Sequence, residues 1–465
     1  MEGHTYMQWT MAIIANLSLF SYGLLSGWMS PMTKVLQSSE SPTGDPLSDL
    51  EITWIASVMC LSAVCTVPLY SYLADRFGRK LTIMACIIPQ VLSWLIKLTS
   101  SSTTSLIIAR MMCGISGCCF NVVPLYTKEI SQDSIRGLLG SLLMMFQNIG
   151  IFCMYAIGAY MSYYTIIWIA IAFPVFNILL MVRAPESPAF LVKQGKIDEA
   201  AETLSSLRGL DKNNKVIQNE ISKMRADETF YKSLPKISFR SILKDEAWRK
   251  SGLISAAIMT TACSNGNFSV LTYAAQILSS SGVTFSPELQ TLSFPIVLIL
   301  GSLVSISCVE KFGRKTLLAA CLFLVMISLL LLASILYLQQ LGWKVPWWMP
   351  VFAIVGSVFG NGAGIMPIPY IIMSEMFNFQ VRAKLLGAII TYAWFISFVQ
   401  LVLFPPISKA LGLHTMFFIF AAVNLFGAVV TLVFTPETRG KTVDQIEQEL
   451  RREKVTLESS TIENK

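Results

Sequence analysis

Charge in this sequence is confined to short clusters, and the stretches between them stay apolar for about twenty residues at a time. A run of that length crosses the ~30 Å hydrocarbon core of a bilayer as a helix, because hydrocarbon offers no partner to an unpaired backbone group. Twelve such runs are legible, over 9–29, 52–73, 81–99, 104–127, 138–160, 163–183, 250–280, 289–309, 316–339, 346–373, 385–408 and 413–434. Composition agrees: 54% of the 465 residues are hydrophobic and 14% charged, where a soluble domain carries about 25% charged residues. The expectation is an all-α membrane protein of twelve transmembrane helices, with the lipid bilayer as its surroundings. The first run lacks a basic leading segment and is too long for the apolar part of a cleaved signal, so it reads as an uncleaved anchor.

Bases set the orientation. With the N-terminus inside, Arg76, Arg79, Lys80, Lys128, Arg136, the polar stretch 184–249, Lys311, Arg314, Lys315, Arg382, Lys384 and the tail all fall on the inner face. The outer connections then hold little beyond Lys34, Lys97, Lys344 and Lys409. Both termini are expected in the cytoplasm, with the chain in the plasma membrane. This distribution accounts for the net charge of +7 without a nucleic-acid partner. All ten cysteines lie inside apolar runs, which predicts no structural disulfide. With two histidines, His4 and His414, and no zinc-type spacing, no metal site is expected, and no phosphate-cradling loop calls for a cofactor. No nucleophile–base or carboxylate pair stands within a run, so an enzyme is not expected.

A six-residue phrase is written twice, roughly half a chain apart: Asp75-Arg76-Phe77-Gly78-Arg79-Lys80 and Glu310-Lys311-Phe312-Gly313-Arg314-Lys315. Other pairs recur in the same order. Glu129 and Arg136 follow the fourth run as Glu375 and Arg382 follow the tenth, and Pro185-Glu186-Ser187 ends the sixth as Pro436-Glu437-Thr438 ends the twelfth. The chain therefore reads as a duplicated pair of six-helix halves, 1–183 and 250–434, with a cytoplasmic helical linker at 184–249 and a cytoplasmic tail at 435–465. In the linker, an amphipathic helix should run through Leu204, Leu207 and Arg208 to a stop at Gly209, with a second across Lys212 to Arg225. The tail stretch from Val443 to Leu450 is also helix-like. Carboxylates and guanidiniums at helix ends can pair across neighbouring helices. Pairs made only while the inner face is shut would favour the outward-open state. The expected inner gate is Asp75, Arg76, Arg79, Glu129, Arg136, Glu310, Arg314, Glu375 and Arg382.

On these residues the chain resembles the sugar porter family of the major facilitator superfamily. Asp75-Arg76-x-Gly78-Arg79-Lys80, Arg110-x-x-x-Gly114, Pro124-x-Tyr126-x-x-Glu129, Arg136-Gly137-x-x-Gly140 and Pro185-Glu186-Ser187-Pro188 carry the resemblance in the first half. The second basic phrase, Pro367-x-Pro369, Glu375-x-Phe377, Trp394 and the run Pro436 to Thr442 carry it in the second. Gly27-Trp28-x-Ser30-Pro31 and Phe146-x-Asn148-Ile149-Gly150-Ile151 are similar to the insect facilitated trehalose and hexose transporters of that family. The resemblance implies the major facilitator fold, alternating access and carbohydrate transport.

Departures fall where the resemblance implies sugar contacts. Amide-bearing positions of the family are here Met144, Ala262, Cys263, Phe268 and Leu298, while Trp394 persists. A sugar in a buried site needs partners for its hydroxyls and an aromatic surface for its apolar face. Gln147, Asn148, Asn265, Asn267, Tyr273, Asn361, Thr391 and Trp394 are the expected substrate contacts. Gly360-Asn361-Gly362-Ala363-Gly364 with Pro367 and Pro369 should let the tenth run bend. Every Asp and Glu falls in a connection, a tail or the end of a run, so the chemistry of proton symport is missing and Arg110 is the one charge expected inside a run. The function expected is facilitative uniport of trehalose or a hexose. A carrier of the same fold for a less hydroxylated solute, and a sugar sensor that no longer transports, are the alternatives.

Overall fold

A computed structural model of the chain describes residues 4–39, 41–100, 102–233, 237–272, 287–346 and 348–451, and among them there are helices and no strands. The chain divides into two compact units, Met1–Pro235 and Lys236–Lys465. Eleven helices among the described residues are long and apolar enough to cross a membrane. In unit 1, span 1 is Tyr6–Gly27, continued past Trp28 by Met29–Leu36. Spans 2 and 3 are Asp49–Phe77 and Arg79–Thr99, span 4 is Thr103–Ser116 and Cys119–Ile130, and spans 5 and 6 are Asp133–Tyr160 and Tyr163–Arg183. Unit 2 holds span 8 (Pro287–Phe312), span 9 (Arg314–Gln340), span 10 (Trp348–Gly360, a π-helical turn Asn361–Ile365, then Ile368–Met376), span 11 (Phe379–Leu411) and span 12 (Leu413–Phe434). The seventh span is described as Glu246–Ser264 and Asn267–Thr272. The rest of it, with Tyr273, lies outside the described residues.

Spans 2, 5, 8 and 11 overrun the apolar limits read from sequence, because the run marks hydrocarbon while the helix continues through polar ends, and spans 6 and 12 coincide with them. Span 2 starts on a cap: Ser48 Oγ accepts from Glu51 N at 3.4 Å, and Glu51 Oε2 accepts from Ser48 N at 2.8 Å. Spans 1 and 5 meet at two glycines. A Cβ on Gly23 would stand 2.3 Å from Gln147 O, and one on Gly150 would stand 2.2 Å from Phe20 O. Backbones approach that closely in membranes only through residues without side chains, and packing supplies the attraction that lipid does not.

The middle segment joins unit 1 as far as Pro235, and its last short helix, Phe239–Lys244, belongs to unit 2. Its helices in unit 1 are Pro188–Lys193, Ile197–Arg208 and Lys215–Ser233, and the second stops at Gly209, which has φ +63°. Ala201, Leu204, Ile217 and Ile221 form the apolar core shared by the second and third, and Leu191 and Val192 of the first pack with Ala200. Arg208, nearly fully buried, ties them to the spans: Nη1 donates to Ile130 O at 2.9 Å, and Nη2 meets Glu220 at 3.1 Å. Gln8 bridges the same place, donating to Leu207 O at 3.3 Å and accepting from Gln132 N at 2.9 Å. In unit 2 a tail helix over 443–451 docks on the start of span 7. There Trp248 Nε1 donates to Glu447 Oε1 at 2.9 Å and Lys250 Nζ donates to Leu450 O at 2.6 Å. Burial pushes the Glu447 carboxyl above the usual carboxylate range, against the opposing pull of the Trp248 hydrogen bond.

Gly150→Val should overpack the contact of spans 1 and 5 and lower stability by about 1–3 kcal/mol. The equivalent change at exposed Gly140, where a Cβ meets nothing within 4 Å, should leave stability nearly unchanged. Melting of the two purified variants in one detergent checks this.

Candidate functional site

The repeated phrase forms one cluster in each unit, built the same way. In unit 1 the chain turns between spans 2 and 3 at Gly78, with φ +102°, a region closed to other residues. A Cβ there would also stand 2.3 Å from Glu186 Oε2. Glu186 caps the first turn of span 3, its Oε1 accepting from Arg79 N at 2.9 Å and Lys80 N at 3.1 Å. Four N–H groups at a helix start have no partner in the helix, and an anion there also meets the positive end of the dipole. The Arg79 side chain, buried, grips Glu129 at the end of span 4 in two-pronged fashion, Nε to Oε2 and Nη2 to Oε1, both at 2.9 Å. Its Nη1 donates to Ala74 O at 2.9 Å, and Phe190 lies 5.2 Å from its Cζ. Ser187 Oγ donates to Glu129 Oε2.

Unit 2 repeats this residue by residue. Gly313 turns at φ +85°, and a Cβ on it would stand 2.6 Å from Glu437 Oε2. Glu437 accepts from Arg314 N at 2.9 Å and Lys315 N at 3.1 Å. Buried Arg314 donates from Nη2 to Glu375 Oε1 at 3.0 Å and from Nη1 to Val309 O at 3.4 Å. Thr438 Oγ1 donates to Glu375 Oε2 at 2.5 Å. The second pair of arginines repeats as well. Arg136 Nη2 donates to Ser131 O at 3.2 Å, and Arg382 donates from Nε and Nη2 to Phe377 O at 3.1 and 3.0 Å. Each guanidinium thus meets the carbonyl at the end of the preceding span, the negative end of that helix.

Most of the expected gate therefore gathers into these two clusters, each within its own unit. Asp75 stands at the rim of the first, 3.7 Å from Arg79 and 3.5 Å from Lys193. Arg76 points elsewhere: it is exposed, donates to Tyr72 OH at 2.6 Å and stacks over the rings of Tyr72 and Phe77. The side chain of Glu310 lies outside the described residues. Missing from the expected set were Glu186, Ser187, Glu437 and Thr438. Their recurrence in the same order in both halves was the available signal.

The expected substrate contacts divide into two groups. Asn265 and Asn361, both almost wholly buried, face each other, Asn265 Nδ2 donating to Asn361 Oδ1 at 2.5 Å. Asn265 Oδ1 accepts from Asn267 N at 2.9 Å, and Asn361 Nδ2 donates to Ser357 O at 2.9 Å. By contrast, the Oε1 of buried Gln147 on span 5 and the Oδ1 of buried Asn267 accept no hydrogen bond among the described residues. Asn148 is buried beside Gln147. Half-buried Trp394 meets Phe268 edge to face, ring centroids 6.4 Å apart, and Thr391 Oγ1 donates to Gly387 O at 2.8 Å. Thr260 and Tyr392 share a hydroxyl hydrogen bond of 2.9 Å on the same pair of spans.

Two basic side chains, Arg110 and Lys97, lie deep inside the spans of unit 1. Arg110 joins three helices, donating from Nε to Ile55 O at 3.1 Å and from Nη1 to Leu25 O at 2.8 Å. Lys97, counted with the outer bases at the end of the run 81–99, lies in the last turns of span 3 and is fully buried. Its Nζ lies 4.0 Å from the ring centroid of Trp28 and 4.2 Å from that of Trp94. Charge and aromatic face find each other only in three dimensions, which the spacing of Trp28 from Lys97 could not show.

Two units of apolar spans, each locked at one end by the same carboxylate–arginine cluster, define a multi-pass membrane carrier of the major facilitator fold. Residues 10–450 match the model of the family described as "Sugar (and other) transporter", and the chain belongs to that family. It is similar to the facilitated trehalose transporter Tret1 of Bombyx mori, 27% identical over 451 residues, covering 95% of this chain and 87% of the relative. The Tret1 of Culex quinquefasciatus is 28% identical, with 96% and 86% covered. That of Anopheles gambiae is 28% identical, and the match spans 56% of its length. Among solved structures, the inward-open xylose transporter XylE of E. coli superposes with a TM-score of 0.78 at 18% identity, over 95% of this chain and 99% of that one. The proton:xylose symporter XylE bound to 6-bromo-6-deoxy-D-glucose gives 0.76, also at 18% identity, over 96% and 100%. At that identity the likeness is one of fold.

Glu186→Ala should leave the first turn of span 3 without its acceptor and lower stability by about 1–3 kcal/mol, and Glu437→Ala should do the same for span 9. Arg110→Lys should not preserve stability, since one ammonium cannot reproduce a planar fork that reaches two helices. Thermal melts of these variants against the parent are the check.

Proposed function

We propose that the chain is a facilitative carrier that moves a sugar, trehalose or a hexose, down its gradient by alternating access across the plasma membrane, with both termini in the cytoplasm. The observation that carries this reading is the match to facilitated trehalose transporters over nearly the whole chain. Uniport is favoured over proton symport because no Asp or Glu stands away from the end of a span in the sequence, leaving no membrane carboxylate to load and unload. Gln147 and Asn267, each with a buried oxygen able to accept from a sugar hydroxyl, contribute substrate contacts in this reading, together with Asn148, Thr391, Tyr273 and the indole of Trp394. The two clusters act at the inner ends of the spans as the gate, with Arg136 and Arg382 as their outlying members.

A second reading has one observation behind it. Phe268 stands where the family resemblance implies an amide and packs on Trp394, so this wall of unit 2 presents ring surface. A less hydroxylated solute suits such a wall, since unmatched hydroxyls in a dry site cost about 1–3 kcal/mol each.

Proteoliposomes holding the purified protein should take up labelled trehalose or glucose saturably, at a rate indifferent to an imposed pH gradient. Accumulation driven by the gradient would exclude uniport, and no flux of either sugar by folded protein would favour the second reading. Glu375→Ala and Arg136→Ala should shift the carrier toward its inward-facing state. A cysteine probe on the outer side whose labelling rate stays at the parent value would reject the gating role.

A further inference from the structure

Spans 7 and 10 are both interrupted, and the interruptions are bonded to each other. Span 7 breaks at Asn265 and Gly266, the latter at φ +89°, before Asn267–Thr272 resumes. Span 10 breaks in the π-helical turn Asn361–Ile365, before Ile368–Met376. A helix break in hydrocarbon exposes backbone groups that need partners from within the protein. Here the partners are three asparagines, each 1% exposed or less. Asn265 closes its own break by accepting from Asn267 N at 2.9 Å and reaches span 10 through Asn361 Oδ1 at 2.5 Å. Asn361 anchors to Ser357 O at 2.9 Å, and its carbonyl takes Met366 N at 3.0 Å across the π turn. From span 12, Asn424 Nδ2 donates to Phe420 O at 2.7 Å and to Asn265 O at 3.4 Å. The π turn has no slack against its neighbours: a Cβ on Gly362 would stand 2.6 Å from Leu298 O, and one on Gly364 would stand 2.5 Å from Cys321 Sγ.

We propose that Asn265, Asn361 and Asn424 are positioning residues that make the two breaks one mechanical element. A change of backbone angle at either break strains the short amide contact to the other. The segments Asn267–Thr272 and Ile368–Met376 therefore move together or not at all. Asn267, hydrogen-bonded to Asn265 through its backbone, is carried with them. A side-chain amide suits this place because it donates and accepts at once. An apolar residue of the same volume would fill the space and leave both breaks independent. The kinetic consequence rests on the transport reading, but the mechanical claim does not.

The test is hydrogen exchange, read by mass spectrometry, on the full chain in lipid nanodiscs. Asn361→Ser should speed exchange about tenfold in 265–272 on span 7 as well as in 361–372. Asn265→Ser should speed it to the same extent in 361–372. The double variant should add little to either single one, because the contact is already lost. Asn16→Ser, which removes a buried amide bonded only to Ala12 O of its own helix at 2.8 Å among the described residues, should change neither region. Faster exchange confined to the substituted span, or full additivity in the double variant, overturns the proposal. Span 9 takes no part in these hydrogen bonds and reports folding. Should a serine variant lose protection there, Asn424→Leu, outside both breaks, carries the same test with a smaller gain expected at both. If the transport reading holds, the serine variants should lower kcat severalfold more than they change KM. Should uptake be absent altogether, the exchange result still stands or falls alone.

Discussion

Hydrocarbon offers nothing to an unpaired N–H or C=O, and the places where these spans begin, end or break answer to that fact. Where the chain leaves the helical ladder at the membrane's edge, a side chain takes over: Ser48 and Glu51 at the start of span 2, Glu186 at span 3, Glu437 at span 9, Arg136 and Arg382 at the ends of spans 4 and 10. Where it leaves the ladder inside a span, buried amides do the same work. Several buried amides of the spans are thus already committed to backbone, and these are not free for a solute. That commitment separates Asn265 and Asn361, whose amides are engaged, from Gln147 and Asn267, whose oxygens are not.

The two clusters show how one phrase can serve two needs. Its glycine makes a turn that no other residue fits, and the turn aims the next helix start at a carboxylate brought from the end of the sixth or twelfth span. The arginine that begins the helix then has its backbone N–H on one acid and its side chain on another, Glu186 and Glu129 in unit 1, Glu437 and Glu375 in unit 2. Two acids around one buried guanidinium would repel if both competed for it. Dividing the backbone and side-chain donors between them removes the competition and satisfies the helix start as well.

Sequence alone revealed these clusters because duplication acts as an internal control: a residue that returns in order after half a chain is held by something the halves share. It marked Arg79 with Arg314 and Glu129 with Glu375. The same logic reached Glu186 and Glu437 but undervalued them, since a carboxylate that caps backbone looks in sequence like any acid after a span. Arg76 misled in the opposite way, because its place in the phrase gave no hint that its side chain would fold back on Tyr72. Unrepeated features were out of reach. Nothing in the linear order sets Lys97 beside Trp28, or Asn265 beside Asn361, because those meetings depend on helix phase and crossing, and an error of one residue in phase turns a side chain by about 100°.

Burial also orders the charged residues by how readily they could exchange partners. The Arg79–Glu129 pair is 8% and 13% exposed, two-pronged and further tied by Ser187. Removing one partner of such a pair strands a charge in a low dielectric, at a cost of about 3–5 kcal/mol. Asp75 is 61% exposed, at 3.5 Å from Lys193 and 3.7 Å from Arg79, in the range where a surface ion pair contributes about 1 kcal/mol or less. A cycle that had to break the first contact at each turnover would meet a barrier that the second does not impose. Within unit 1, then, the buried arginine ties its helix ends together far more strongly than the exposed rim acid does. The motif combines a buried contact with an exposed one, and the difference in strength between them is set by how much water each can reach.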